Sequence, residues 1–145
     1  MIEIYTDGAC AVKSKIGGIG VYIPSTGERL SEGFKDTTNN RMELTAILKA
    51  LQAIKEPSDI VIYSDSKYCI DGASSWVKSW VKSDWITSSG TVVKNKTLWE
   101  KLIELKKFHK RVIFKWVKAH NGHEYNEIVD KLATDAILEI KGKEK

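Results

Sequence analysis

The stretch Ile60-Val61-Ile62-Tyr63-Ser64-Asp65-Ser66 decides the fold. Its first four residues are almost wholly apolar, with no alternation of wet and dry positions. Such a run reads as a short strand covered on both faces, the mark of a central strand between layers of helix. It ends on an acid, Asp65, at its carboxyl end. Open α/β sheets bind their ligands there, at the switch point of strand order.

The flanking segments agree with this. Ile2 to Thr6 alternates apolar and polar residues and stops at Asp7-Gly8. Gly17 to Ile23 reads as a second strand, Pro24-Ser25-Thr26-Gly27 as a turn, and Glu28 to Lys35 as a third strand. The links are short, which makes these three an antiparallel meander. A helix then carries Ile47, Ala50, Leu51 and Ile54 on one stripe and is closed by Pro57. Downstream, one or two short helices run from Ser66 to about Val81, and a Trp- and Lys-rich stretch reaches about Lys96. A helix over Thr97 to Phe108, a strand over Val112 to Lys118 and a helix from Glu124 to about Ile140 follow. The charged end, Lys141 to Lys145, is expected to fray. The order βββαβααβα predicts an α/β fold with a five-stranded mixed sheet, helices on both faces, and the fourth and fifth strands parallel to the first.

The chain has 145 residues, the size of one domain, and we expect a single domain over 1–145. Apolar runs are short, so no membrane span is expected. The amino end lacks the layout of a signal peptide, and a cytoplasmic protein is the expectation. Cys10 and Cys69 form no metal-spaced set and read as reduced thiols. The formal charge of +4 permits a nucleic-acid partner without requiring one.

Four acids sit in otherwise apolar or structural settings: Asp7, Glu43, Asp65 and Asp130. Each has an ordinary alternative. Asp7-Gly8 is a common turn pair. Asp65 suits the N-cap of a helix starting at Ser66. Asn40 to Glu43 has the form of a capping box. Against the last, positions 43, 47, 50 and 54 share one helix face, so Glu43 lies on the stripe that packs against the sheet. On the last helix Glu127 has Lys131 four residues on, whereas Asp130 has no cation at that spacing, so Asp130 takes the inward role. Four carboxylates at one sheet end cannot all stay ionised without cations between them. All-oxygen ligation favours Mg²⁺ or Mn²⁺.

With these motifs on the page, the chain resembles type 1 ribonuclease H over nearly its whole length. The matching pieces are Asp7-Gly8-Ala9-Cys10, Thr38-Asn39-Asn40-Arg41-Met42-Glu43, Ser64-Asp65-Ser66, and the His120-containing loop followed by Asn126-Glu127 and Asp130. The resemblance implies the ribonuclease H-like fold and an endonuclease that cuts the RNA strand of an RNA–DNA hybrid. Two Mg²⁺ ions, with Mn²⁺ as substitute, would be held by Asp7, Glu43, Asp65 and Asp130. The products would carry 3′-hydroxyl and 5′-phosphate ends. His120 would assist proton transfer or product release, and His123 reads as structural. Asn39 and Asn40 would read 2′-hydroxyls, while Thr38 and Arg41 would hold a phosphate of the DNA strand. Tyr68 and Trp80 would accept its deoxyriboses, and Lys78, Lys82, Lys94 and Lys96 would meet phosphates. Trp76, Trp85, Trp99 and Trp116 read as core. No obligate protein partner is evident, and a monomer is expected.

Some positions depart from the family pattern. Lys13-Ser14-Lys15-Ile16 replaces an Asn-Pro-Gly-Pro run, Lys67 stands where Gln is common, and Ser83 and Asp84 dilute the basic protrusion. Two alternatives remain open at the level of sequence. One is another nuclease of this fold, such as a resolvase or transposase-like enzyme. The other is a hybrid-binding domain without catalysis.

Overall fold

Ile60, Val61 and Ile62 are all buried, as a strand covered on both faces requires. They belong to β4 (Asp59–Ser64), which lies between β1 (Ile2–Cys10) and β5 (Arg111–Trp116). The computed structural model describes residues 1–118 and 124–143. The sheet runs β3-β2-β1-β4-β5, with β2 at Gly17–Ile23 and β3 at Glu28–Phe34. Both meander pairings are antiparallel, and β1–β4 and β4–β5 are parallel.

Helices cover the two faces. On one face α1 (Asn39–Ala53) and α4 (Lys96–Phe108) pack Leu44, Ile47, Leu51, Trp99 and Leu102 against Ile4, Ile60 and Ile62. On the other, α5 (Glu124–Lys143) lies on β2, with Val129, Ala133 and Ala136 buried. α5 runs on through Lys141 to Lys143, and the last two residues of the expected frayed end lie outside the described residues. Two short helices, α2 (Lys67–Asp71) and α3 (Val77–Lys82), are joined by a π-helical turn over Gly72–Trp76. The wider turn lets the backbone at Gly72 lie against the Trp99 ring, where any Cβ would collide.

Several sequence expectations need correction. Trp76 is 40% exposed and Trp116 is 44% exposed, so neither is core. Trp76 ends the π-helical turn with its ring 6.0 Å from that of Trp80, and Trp116 ends the edge strand β5 with the Lys67 ammonium 5.1 Å from its ring centre. Trp85 and Trp99 are buried as expected. Lys131 pairs with Asp135 at 2.8 Å rather than with Glu127. β1 continues to Cys10 instead of stopping before Asp7, because β2 pairs with it through Cys10. Cys10 and Cys69 are both free, and burial pushes the Cys69 thiol up to about 12.

Candidate active site

The parallel ladder between β1 and β4 ends at Tyr5↔Tyr63, whose rings stack at 4.5 Å. Asp7 and Asp65 each lie two residues beyond that pair. They therefore leave the ladder side by side, where β1 and β4 diverge. The structure disposes of the ordinary alternative for Asp65: the cap of α2 is Ser66, whose hydroxyl accepts from the Cys69 amide. Asp65 is left free to face the site, and its carbonyl accepts from the Trp116 indole at 3.0 Å.

Glu43 arrives from α1. The cap of that helix is Thr38, whose Oγ1 accepts from the Arg41 amide at 3.2 Å. The capping-box alternative for Asn40 and Glu43 therefore fails, and Glu43 is buried on the sheet side, 4% exposed. Its carboxylate accepts from the Gly8 amide, as the Asp7 carboxylate also does. Gly8 is needed here, since a Cβ at that position would strike the backbone of Met42 and Glu43. A bare backbone lets β1 approach α1 closely enough to bring Asp7 and Glu43 together.

Asp130 arrives from α5 by a parallel device on the other face. Asp7 pairs across the sheet with Gly20. A Cβ on Gly20 would strike the Val129 carbonyl oxygen and come within 2.8 Å of the Leu132 Cβ. Glycine at that position lets α5 lie close over β2, so the Asp130 charge helps to raise the Asp7 pKa, although Asp130 is not one of the acids that converge most closely.

Among the described residues, carboxylate oxygens of Asp7, Glu43 and Asp65 all lie within 4.8 Å of one another. Burial, and then the charges of Asp65 and Asp130, push the Asp7 carboxyl up to about 7. Burial, and then the Asp7 charge, raise Glu43 well above the usual carboxylate range. The two share a hydrogen bond, so a proton between them relieves the repulsion. A hard divalent cation would do the same, and an oxygen-only donor set of this spacing fits one. His120 lies outside the described residues.

Beside the acids, Thr38, Asn39, Asn40, Arg41, Lys94 and Asn95 line one concavity. Asn95 holds it together. Its Oδ1 accepts from Arg41 Nη1 at 3.1 Å and its Nδ2 donates to the Tyr68 hydroxyl at 3.3 Å. Tyr68 also accepts from the Trp99 indole at 3.2 Å, and its ring leads to Trp76 and on to Trp80. The structure thus joins Thr38 to Arg41, Lys94, Tyr68 and Trp80 into one surface, with Lys96 half-buried at the start of α4. Lys78 and Lys82, both exposed, line a groove with Ile103 and Lys106 of α4. Asn95 was not singled out from sequence. Its signal was an Asn one residue before a helix, in the left-handed conformation that Asn tolerates.

The sheet order and the carboxylates at its switch point define the ribonuclease H-like class of α/β proteins. Residues 1–138 match the RNase H family. A relative from Francisella philomiragia called Ribonuclease H is 47% identical over 141 residues, 96% of this chain and 92% of that protein. One from Haemophilus influenzae called Ribonuclease HI is 47% identical over 134 residues, 91% of this chain and 86% of that protein. The crystal structure of LC9-RNase H1, described as a type 1 RNase H with the type 2 active-site motif, superposes with a TM-score of 0.81. It is 29% identical and covers 95% of this chain and 72% of that one. The chain belongs to the RNase H family.

Proposed function

We propose that the protein is an endoribonuclease that hydrolyses the RNA strand of RNA–DNA hybrids, leaving 3′-hydroxyl and 5′-phosphate ends. The observation that carries this is the convergence of Asp7, Glu43 and Asp65, with the Asp130 charge acting on Asp7, in a chain of the RNase H family. These four acids would hold two Mg²⁺ ions, for which Mn²⁺ would substitute. When bound, such ions lower the pKa of water and stabilise charge on the oxygens of an in-line phosphoryl displacement.

The chain's own groups do the rest. The Gly8 amide fixes the Asp7 and Glu43 carboxylates in one orientation, so the acid cluster is organised before substrate arrives. Asn39 and Asn40 stand at the exposed first turn of α1, beside Glu43, where they would meet the 2′-hydroxyls that distinguish RNA from DNA. Thr38, Arg41, Lys94 and Lys96 would hold phosphates of the DNA strand, with Arg41 aimed by Asn95. Tyr68 and Trp80 would pack against its sugars. His120 is assigned proton transfer on the family resemblance. All of this lies in one catalytic domain over 1–145.

The test is cleavage of RNA–DNA hybrid, DNA duplex and RNA duplex of one sequence, with Mg²⁺ or with chelator. The expected result is Mg²⁺-dependent cutting of the hybrid's RNA strand alone. Preferential DNA cleavage, or hybrid binding with no cleavage, refutes the proposal.

A further inference from the structure

On the other side of α3 from Trp76 and Trp80, a groove runs between α3 and α4. Its floor includes Val81 and Ile103, and its rim carries Lys78, Lys82, Lys106 and Lys107. Val81 is 54% exposed, an aliphatic side chain left in water among four cations. Among the described residues, no acid lines the groove. Among the described residues, none of these lysines takes part in an ion pair.

Lys106 is the most constrained of the four. Its ammonium lies 5.5 Å from the centre of the Phe114 ring. Burial, and then the nearby Lys78 charge, lower its pKa. Like charges drawn together over an apolar floor disfavour one another in the free protein. A ligand carrying both carboxylates and apolar side chains relieves the repulsion and covers the floor in one step.

We propose that this groove docks an acidic, amphipathic peptide segment of a partner protein. Its aliphatic or aromatic side chains cover Val81 and Ile103, and its carboxylates meet the four lysines. A nucleic-acid backbone suits the site less well. It offers phosphates to the rim but nothing apolar to the floor. At about 100° per residue, Val81 and Lys82 also point well away from the Trp76–Trp80 face of the helix, where the proposed hybrid surface lies.

The experiment is fluorescence anisotropy on the full chain, with a labelled peptide of Glu and Leu placed at amphipathic helical spacing. A Glu-only peptide of equal charge is the control, and unlabelled RNA–DNA hybrid is the competitor. The Glu–Leu peptide is expected to bind saturably and roughly tenfold more tightly than the control. Lys106→Glu should weaken it roughly tenfold and Val81→Ser roughly fivefold, with hybrid cleavage and thermal midpoint unchanged. Val81 is exposed, so its variant tests the floor even where Lys106→Glu perturbs folding. The proposal fails if the Glu–Leu peptide does not bind, if both peptides bind equally, or if neither variant weakens binding. It fails equally if the hybrid displaces the peptide, since the groove then belongs to the nucleic-acid surface.

Discussion

Asp7→Asn should abolish hydrolysis and yet stabilise the metal-free protein, by an amount that depends on pH. The Asp7 carboxyl is pushed from its ordinary 3.8 up to about 7 by burial and by neighbouring acids. The folded state therefore holds its proton more tightly than the unfolded chain does. The sign follows directly. Stability is fullest below pH 3.8, the unfolded value, and falls as pH rises towards about 7. Taken alone, this shift amounts to under about 2 kcal/mol of destabilisation at pH 5 and about 4 kcal/mol at pH 8. Glu43 shares the proton and keeps part of the burden in the variant, so the measurable gain at pH 8 should be about 2–3 kcal/mol. Asn retains an oxygen to accept from the Gly8 amide, so little hydrogen bonding is lost. Urea unfolding in chelator at pH 5 and pH 8 reads the difference. Mg²⁺ at a thousand times its Kd should invert the order, because it stabilises the wild type by about 4 kcal/mol and the variant by much less. An Asn variant no more stable than wild type at pH 8, or one with the same gain at both pH values, would show that the cluster carries no such strain.

Other perturbations test how the site is positioned. Gly20→Ala drives a methyl into the Val129 carbonyl, so α5 must lift and carry Asp130 away from Asp7. We expect a loss of about 1–3 kcal/mol in stability and a fall in kcat well below the melting range. Full kcat would refute the link between Gly20 and Asp130. His109 is buried, with Nδ1 accepting from the Ser58 amide at 3.3 Å and Nε2 bonded to the Leu51 carbonyl at 3.0 Å. It ties the end of α1 to the approach to β4, and His109→Ala should cost about 2–4 kcal/mol by thermal unfolding with kcat unchanged. Arg41→Ala should raise the hybrid Kd and lower the slope of log K against log salt by about 0.7–0.9. An unchanged slope would mean that Arg41 meets no phosphate.

The fold was legible because its signals are local. The apolar run at Ile60–Tyr63, the paired glycines after Ile16 and the helical stripe through Ile47 and Leu51 each report burial on known faces. The misreadings fell where burial depends on what lies across the molecule. Trp116 is a residue type common in cores, but it ends the edge strand β5 and is 44% exposed. Trp76 sits at the end of a π-helical turn, which no spacing of 3.6 residues anticipates. Lys131 has an acid four residues away on either side, Glu127 and Asp135, and it pairs with Asp135.

The sequence alone singled out four acids, two at strand ends and two on helices, as candidates for one cluster. That information is carried by residue type and order, through strand ends and a helix stripe. Only the tertiary structure decided that the acids meet. Asp7, Glu43 and Asp130 come from three elements separated by long stretches of chain, and their approach depends on two missing side chains. Gly8 admits the backbone of α1 and Gly20 admits that of α5. A glycine in a sequence does not say what will lie against it. That follows only when the layers are packed.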